Sequence, residues 1–182
     1  MHIMKKTRLI LIIVLIVSGI LLLLVWEGIK PRRGDLFDTY TFEAGSFTIK
    51  AETRYQDGYL LPLWNAYHDY YVRTSDSDRW KLIFTLIFDD PLKIPKGQIR
   101  KIDNQAVYVF IGWMYSVTTD GGKTWNTWNG NPKSAQFAGT GYGFIDDIII
   151  YANGVGTMLI WNKHKKIVNL VTKKYGRTWS PK

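Results

Sequence analysis

The chain contains no cysteine. A lipoprotein would need a cysteine after Gly19, and Ile20 stands there instead. The absence suits an exported domain that holds together without disulfides and fits a cytosolic one equally well. Histidine is scarce too: His2, His68 and His164 are isolated, with no pair at metal-ligand spacing, which argues against a zinc site. Asp76 and Asp78 lack the glycine and distal glutamate of a calcium loop and read as turn residues. No Gly-x-Ser-x-Gly elbow, phosphate-binding loop or dinucleotide fingerprint is present. Past residue 34 no segment has helical periodicity. Catalysis and cofactor binding thus find no support in the residues, and the expectation is a non-enzyme without a cofactor.

What is present begins with an uncharged run from Leu9 to Trp26, made mostly of Leu, Ile and Val. As a helix rising about 1.5 Å per residue it reaches roughly 27 Å, close to a bilayer core of about 30 Å. A cleavable signal peptide is the competing reading, because Ile16-Val17-Ser18-Gly19 looks like the end of one. Cleavage there would leave Ile20 to Trp26 as a bare apolar N-terminus, so an uncleaved anchor is the better reading. Lys5, Lys6 and Arg8 precede the run and Lys30, Arg32 and Arg33 follow it. The α-amino charge tips the balance toward a cytoplasmic N-terminus. The resulting division is a cytoplasmic tail (1–8), a transmembrane helix (9–26), a juxtamembrane linker (27–36) and an extracytoplasmic domain (37–182). In a bacterium this is a single-pass inner-membrane protein with a periplasmic domain.

The formal charge of +9 is unevenly distributed. Residues 34–160 carry 11 basic and 14 acidic side chains, and the excess lies in the membrane-flanking segment and in the last 22 residues. A basic C-terminal hairpin reads as an edge protected by lysines. Without a nucleic-acid-binding motif it does not indicate DNA or RNA.

Nearly every apolar run of the domain has strand length and ends in turn residues. Phe47, Ile49, Ala51, Thr53 and Tyr55 alternate with Thr48, Lys50, Glu52 and Arg54, and Trp80 to Phe88 repeats the pattern. Asp103-Asn104 and Asn153-Gly154 mark hairpins. The prediction is an all-β domain of ten or more short antiparallel strands.

Thr118-Thr119-Asp120-Gly121-Gly122-Lys123-Thr124-Trp125 combines a carboxylate for backbone donors, a glycine for positive φ and a tryptophan anchor. Incomplete echoes lie at Thr74–Trp80 and Thr172–Trp179, the latter with Lys174 in place of the Asp. Their tryptophans are 45 and 54 residues from Trp125, near the roughly 40–50-residue spacing of propeller blades. The central motif resembles the Asp-box (BNR) repeat of sialidases and of many non-enzymatic binding domains. The resemblance implies structural roles for Asp120, Gly122, Thr124 and Trp125, on blade hairpins away from any catalytic centre. Three boxes are too few for a closed ring of at least four blades, so a propeller-like or sandwich-like meander is expected. A sialidase would also need an arginine cluster and a tyrosine activated by a glutamate. Only Glu43 and Glu52 exist in the domain, and no motif surrounds its arginines.

Aromatic clusters supply the candidate binding surface: Trp64, Tyr67, His68, Tyr70 and Tyr71, then Trp125, Trp128 and the loop Asn129-Gly130-Asn131-Pro132. Most such rings belong to a core, and Trp128, beside the polar loop, is the one expected to be exposed. The resulting function is a membrane-anchored, non-catalytic domain that binds a protein outside the cytoplasm through Trp128, Asn129, Asn131, Tyr67, Tyr70 and Tyr71. Its topology resembles that of small membrane-anchored immunity proteins of type VI or contact-dependent secretion systems, which implies neutralisation of a secreted toxin. A carbohydrate-binding or degraded sialidase-like domain facing the cell wall, and an envelope assembly factor, stand as alternatives.

Overall fold

The computed structural model describes residues 2–29, 32–57, 65–130, 143–161 and 167–182. An N-terminal helix, α1 (His2–Ile29), precedes twelve strands in three four-stranded antiparallel meanders. The first sheet holds β1 (Arg32–Glu43), β2 (Phe47–Asp57), β3 (Ala66–Thr74) and β4 (Lys81–Phe88). The second holds β5 (Ile99–Lys101), β6 (Val107–Ile111), β7 (Met114–Thr118) and β8 (Asn126–Asn129). The third holds β9 (Phe144–Ile150), β10 (Gly156–Trp161), β11 (Ile167–Thr172) and β12 (Ser180–Pro181). In each sheet the strands lie in chain order. The all-β expectation holds at that level, and no closed ring forms among the described residues.

The second sheet is the middle layer. Every residue of β6 and β7 is buried, because alternate side chains enter two different cores. Val107, Val109 and Ile111 join Phe47, Ile49, Tyr70 and Phe84 of the first sheet. Tyr108, Phe110, Tyr115 and Val117 join Ile148, Met158, Ile160 and Leu170 of the third. Among the described residues no further sheet covers the outer faces of the first and third sheets.

The strand pairing begins earlier than the sequence implies. Residues read as linker form the start of β1, with Arg32 opposite Asp57 and Arg33 opposite Gln56. Polar composition hid this strand, since its pairing draws on backbone hydrogen bonds and on charged partners distant in sequence. Two register shifts, between Arg33 and Asp38, interrupt its alternation further.

Among the described residues no helix is long and apolar enough to cross a membrane. The described side chains of α1 begin at Ile12 and take in only part of the apolar run from Leu9 to Trp26. Its large apolar side chains in that part are all exposed, from 47% at Val25 to 71% at Leu22.

Candidate functional site

The three box-like segments occupy one topological position, the turn from third to fourth strand of each sheet. All three tie back to the turn between first and second strands of the same sheet. Ser75 N–H donates to Ser46 O at 3.1 Å, Gly121 N–H to Gln105 O at 3.0 Å and Tyr175 N–H to Gly154 O at 2.9 Å. The sequence repeat is thus a structural one.

In the central turn Asp120 accepts from Thr118 Oγ1 at 2.8 Å, Thr124 N–H at 2.9 Å and Thr124 Oγ1. Partial burial pushes this carboxyl up, but the donors from Thr124 and Thr118 outweigh it and hold it below the usual range. Thr118 Oγ1 accepts from Gly122 N–H at 3.0 Å. In the third sheet Thr172 Oγ1 accepts from Lys174 and Gly176 N–H at 3.1 and 3.0 Å, which keeps the turn although Lys174 replaces the carboxylate. Gly121 and Gly122 have φ of 69° and 85°, and Tyr175 and Gly176 repeat this with 55° and 76°. Tyr175 is the only non-glycine with positive φ among the described residues.

Each later box tryptophan packs on the preceding sheet. Trp125 donates Nε1–H to Gly122 O at 3.1 Å, and its ring meets Phe47 of the first sheet edge-on at 6.5 Å. Trp179 meets Tyr115 of the second sheet at 5.7 Å. The Trp125 ring therefore bonds its own turn but anchors the neighbouring sheet. Trp125 is only partly buried, so Trp125→Ala is expected to cost about 2–3 kcal/mol, below the roughly 3–5 kcal/mol of a fully buried aromatic. Denaturant unfolding checks this, and an unchanged midpoint would remove the anchoring role.

The predicted contact residues are split between faces. Trp128 is buried at 6% exposure in the core between the second and third sheets, which corrects the expectation of an exposed ring. Tyr115 lies opposite it across β7 and β8, and both rings pack in the core shared with the third sheet. Asn129 is half-buried at the end of β8. Tyr70 is 1% exposed and stacks on Phe84 at 4.8 Å, so it too belongs to a core. Asn131, Pro132 and Trp64 lie outside the described residues. His68 is buried against Phe88, and its Nδ1 lies 3.0 Å from Thr53 Oγ1, which donates to Leu92 O. The Thr hydroxyl proton is thereby used, so Nδ1–H is the donor to it. Burial lowers the pKa of this imidazole, which stays neutral.

Tyr67 and Tyr71 instead lie on the outer face of the first sheet, where the register assembles a polar ladder. Lys50 pairs with Tyr71, Glu52 with Asp69 and Arg54 with Tyr67. Asp69 is fully buried and accepts from Arg33 Nε at 2.5 Å, Arg33 NH2 at 3.0 Å, Thr85 Oγ1 at 2.6 Å and Tyr71 OH at 3.2 Å. Desolvation pushes its pKa up, yet the Arg33 and Thr85 hydrogen bonds, the guanidinium charge and Tyr71 together hold it below the usual range. Glu52 behaves alike, with burial outweighed by Lys50 at 2.8 Å and Arg54 at 3.2 Å. Both carboxylates are therefore ionised near neutrality and hold no proton to donate.

Cations also cover the rings. Arg33 lies 4.8 Å above Tyr67, Lys50 4.7 Å from Trp80 and 5.0 Å from Tyr71, and Arg73 4.7 Å from Trp80. Such contacts hold long side chains flat against aromatic surface. Trp80 belongs to the first sheet, so no preceding sheet exists for it to anchor and its ring joins this face instead. Sequence reading missed Arg33, Lys50, Arg73 and Trp80 as members of one surface. The signal was there in the alternation of β2 and β3, which puts Lys50, Glu52, Arg54, Tyr67, Asp69, Tyr71 and Arg73 on one side.

Among the described residues no group of three His, Asp or Glu is placed to hold a metal ion. No family model matches the chain, and neither a curated protein nor a solved structure does.

Proposed function

We propose that the protein is a membrane-anchored, non-catalytic binding module of the bacterial envelope that captures a protein outside the cytoplasm. The observation that carries this reading is the outer face of the first sheet, where Tyr67, Tyr71 and Trp80 lie among Arg33, Lys50, Arg54 and Arg73. Tryptophan, tyrosine and arginine are the residues that dominate interface hot spots. The face has four cations against Asp69, Glu52 and Glu43, and this excess of one positive charge favours a partner with an acidic surface. Because the rings already carry cations, they are poor bare platforms for a sugar, which favours a protein ligand over a glycan.

The anchor rests on the apolar run Leu9 to Trp26 and on the exposure of its described side chains, which no part of the β domain covers. Between the start of β1 and the box turns lies a strand of 12 residues, roughly 40 Å at about 3.4 Å per residue. A domain tethered in this way presents its binding face in the periplasm beside the membrane. Neutralisation of a delivered toxin, as an immunity protein, is the biological role this arrangement serves best.

The test uses the full chain in detergent. Cross-linking in intact cells identifies the captured protein, and its affinity is then measured for the wild type and for Tyr71→Ala combined with Trp80→Ala. The double variant is expected to lose about 2 kcal/mol, roughly thirtyfold in Kd. Undiminished affinity with an unchanged fold would remove this face, and turnover of a substrate by the purified protein would overturn the reading.

A further inference from the structure

The second and third box turns share a backbone but not an acceptor. Thr118 Oγ1 accepts from Asp120 N–H at 3.4 Å and Gly122 N–H at 3.0 Å, and Thr172 Oγ1 accepts from Lys174 N–H at 3.1 Å and Gly176 N–H at 3.0 Å. In the second turn Thr124 gives both of its donors to Asp120, the amide to one carboxylate oxygen at 2.9 Å and the hydroxyl to the other. Thr178 stands at the same place in the third turn, where Lys174 replaces the carboxylate. Among the described residues nothing accepts from the Thr178 amide or hydroxyl. The third turn thus has the donors of the box and a cation in place of their acceptor.

These groups border one depression of about 350 Å³, whose walls include Thr172, Lys173, Lys174, Thr178 and Trp179 and no acidic side chain among the described residues. Neither lysine forms an ion pair among the described residues. The turn does not need them, because the Thr172 hydroxyl holds its backbone. The sheet edge does not need them either, since β12 is two residues long and contains Pro181, both of which blunt an edge. Trp179 adds a second departure from the central box. Trp125 Nε1–H donates to Gly122 O at 3.1 Å, whereas Trp179 Nε1–H is buried without an acceptor. A buried donor left unpaired is costly.

We infer that the third box turn binds a carboxylate of another molecule, an acidic peptide segment, at the place where the second turn holds Asp120. The Thr178 amide and hydroxyl supply one donor to each oxygen of a planar carboxylate, as the same groups of Thr124 do for Asp120. The ammonium groups of Lys173 and Lys174 add charge-assisted attraction that the second turn lacks. Two adjacent lysines suit a ligand with carboxylates on more than one residue, which selects a peptide over a lone small acid. The turn is already shaped by its own hydrogen bonds, so little ordering opposes binding. The site lies on the third sheet and draws on no residue of the capture face of the first.

The Thr178 amide can report directly whether it donates. The test is a nuclear magnetic resonance titration of the full chain in detergent, isotope-labelled at threonine nitrogen, with the Thr178 signal assigned by its loss in Thr178→Ser. At constant ionic strength the peptide acetyl-Asp-Asp-Asp-amide is expected to move the Thr178 amide proton downfield, toward the Thr124 signal, and to leave Thr124 in place. Lys174→Asp supplies the carboxylate from within the chain, at a position where the box accommodates it. That chain is expected to fold, to show the Thr178 signal downfield without peptide, and to bind the peptide about tenfold more weakly, since like charge now meets it. Lys174→Gln, which removes the charge and keeps the turn, is expected to weaken binding about threefold. A Thr178 signal that the peptide does not move overturns the site, as does undiminished binding in Lys174→Asp. Inorganic phosphate acting at lower concentration than the peptide overturns the carboxylate assignment, and acetate matching the peptide overturns the peptide assignment. Capture through the first sheet is read separately by Tyr71→Ala combined with Trp80→Ala, so failure of one proposal is distinguishable from failure of the other.

Discussion

Tyr115→Ala is expected to destabilise the domain by about 3–5 kcal/mol, the range for removing a large buried aromatic. The side chain is 0% exposed and sits where the second and third sheets meet. Trp179 contacts it edge-on at 5.7 Å, Tyr108 lies 6.0 Å away, and its hydroxyl donates to Tyr175 O at 3.1 Å. Truncation would open a cavity between two sheets, strip Trp179 of its anchor and leave a carbonyl without its donor. Tyr108 cannot shift to fill that space because β6 holds it. Denaturant unfolding of the full chain in detergent measures the loss. A change below 1 kcal/mol would mean that the sheets do not pack through this residue.

Gly176→Ala is expected to cost about 2–5 kcal/mol, combining a left-handed backbone penalty of about 1–2 with overpacking of about 1–3. Gly176 has a φ of 76°, and an added Cβ would fall 2.0 Å from the Tyr115 hydroxyl and 2.7 Å from its ring carbon. A Cβ at that position forces the third-sheet turn away from the second sheet. The origin of the penalty is separable, because Tyr115→Phe removes the nearest atom and leaves the backbone conformation unchanged. The two substitutions are therefore expected to be non-additive, with Gly176→Ala costing at least 0.5 kcal/mol less in the Tyr115→Phe background. Strict additivity in a double-mutant cycle would show that φ alone carries the effect.

These two residues illustrate how far the chain can be read unaided. The box containing Asp120, Gly122, Thr124 and Trp125 was legible because its interactions are local: a carboxylate, its donors and a positive-φ glycine lie within eight residues. The echo at Thr172 was legible as a pattern for the same reason. What it does was not, since Tyr115, the residue that Gly176 and Trp179 both touch, lies some 60 positions earlier in the chain. The linker reading failed at Arg33 on the same ground, as the carboxylate that draws it into the sheet is Asp69, 36 residues away.

The misplaced rings have a related cause. Period-two alternation shows that a strand has two unlike faces, and on β3 it separates Tyr70 from Tyr71, which the sequence reading groups on one contact surface. It does not say which face another layer will cover, and where both faces are covered the alternation of polarity disappears. That is the situation of β6 and β7, whose burial follows from their place in the middle of the stack. Trp128, next to a polar loop, reads as exposed until the third sheet is laid over it.

By itself the sequence determined the strand-rich composition of the domain, the hairpin turns, the repeated box and the apolar run before the domain. Each depends on the backbone preferences and periodicity of neighbouring residues. Only the tertiary structure decided which aromatic rings form the cores and that the charges of β2 and β3 close into a ladder with Arg33. Those outcomes depend on the order in which three sheets stack, and stacking is set by contacts between residues tens of positions apart, which no local pattern encodes.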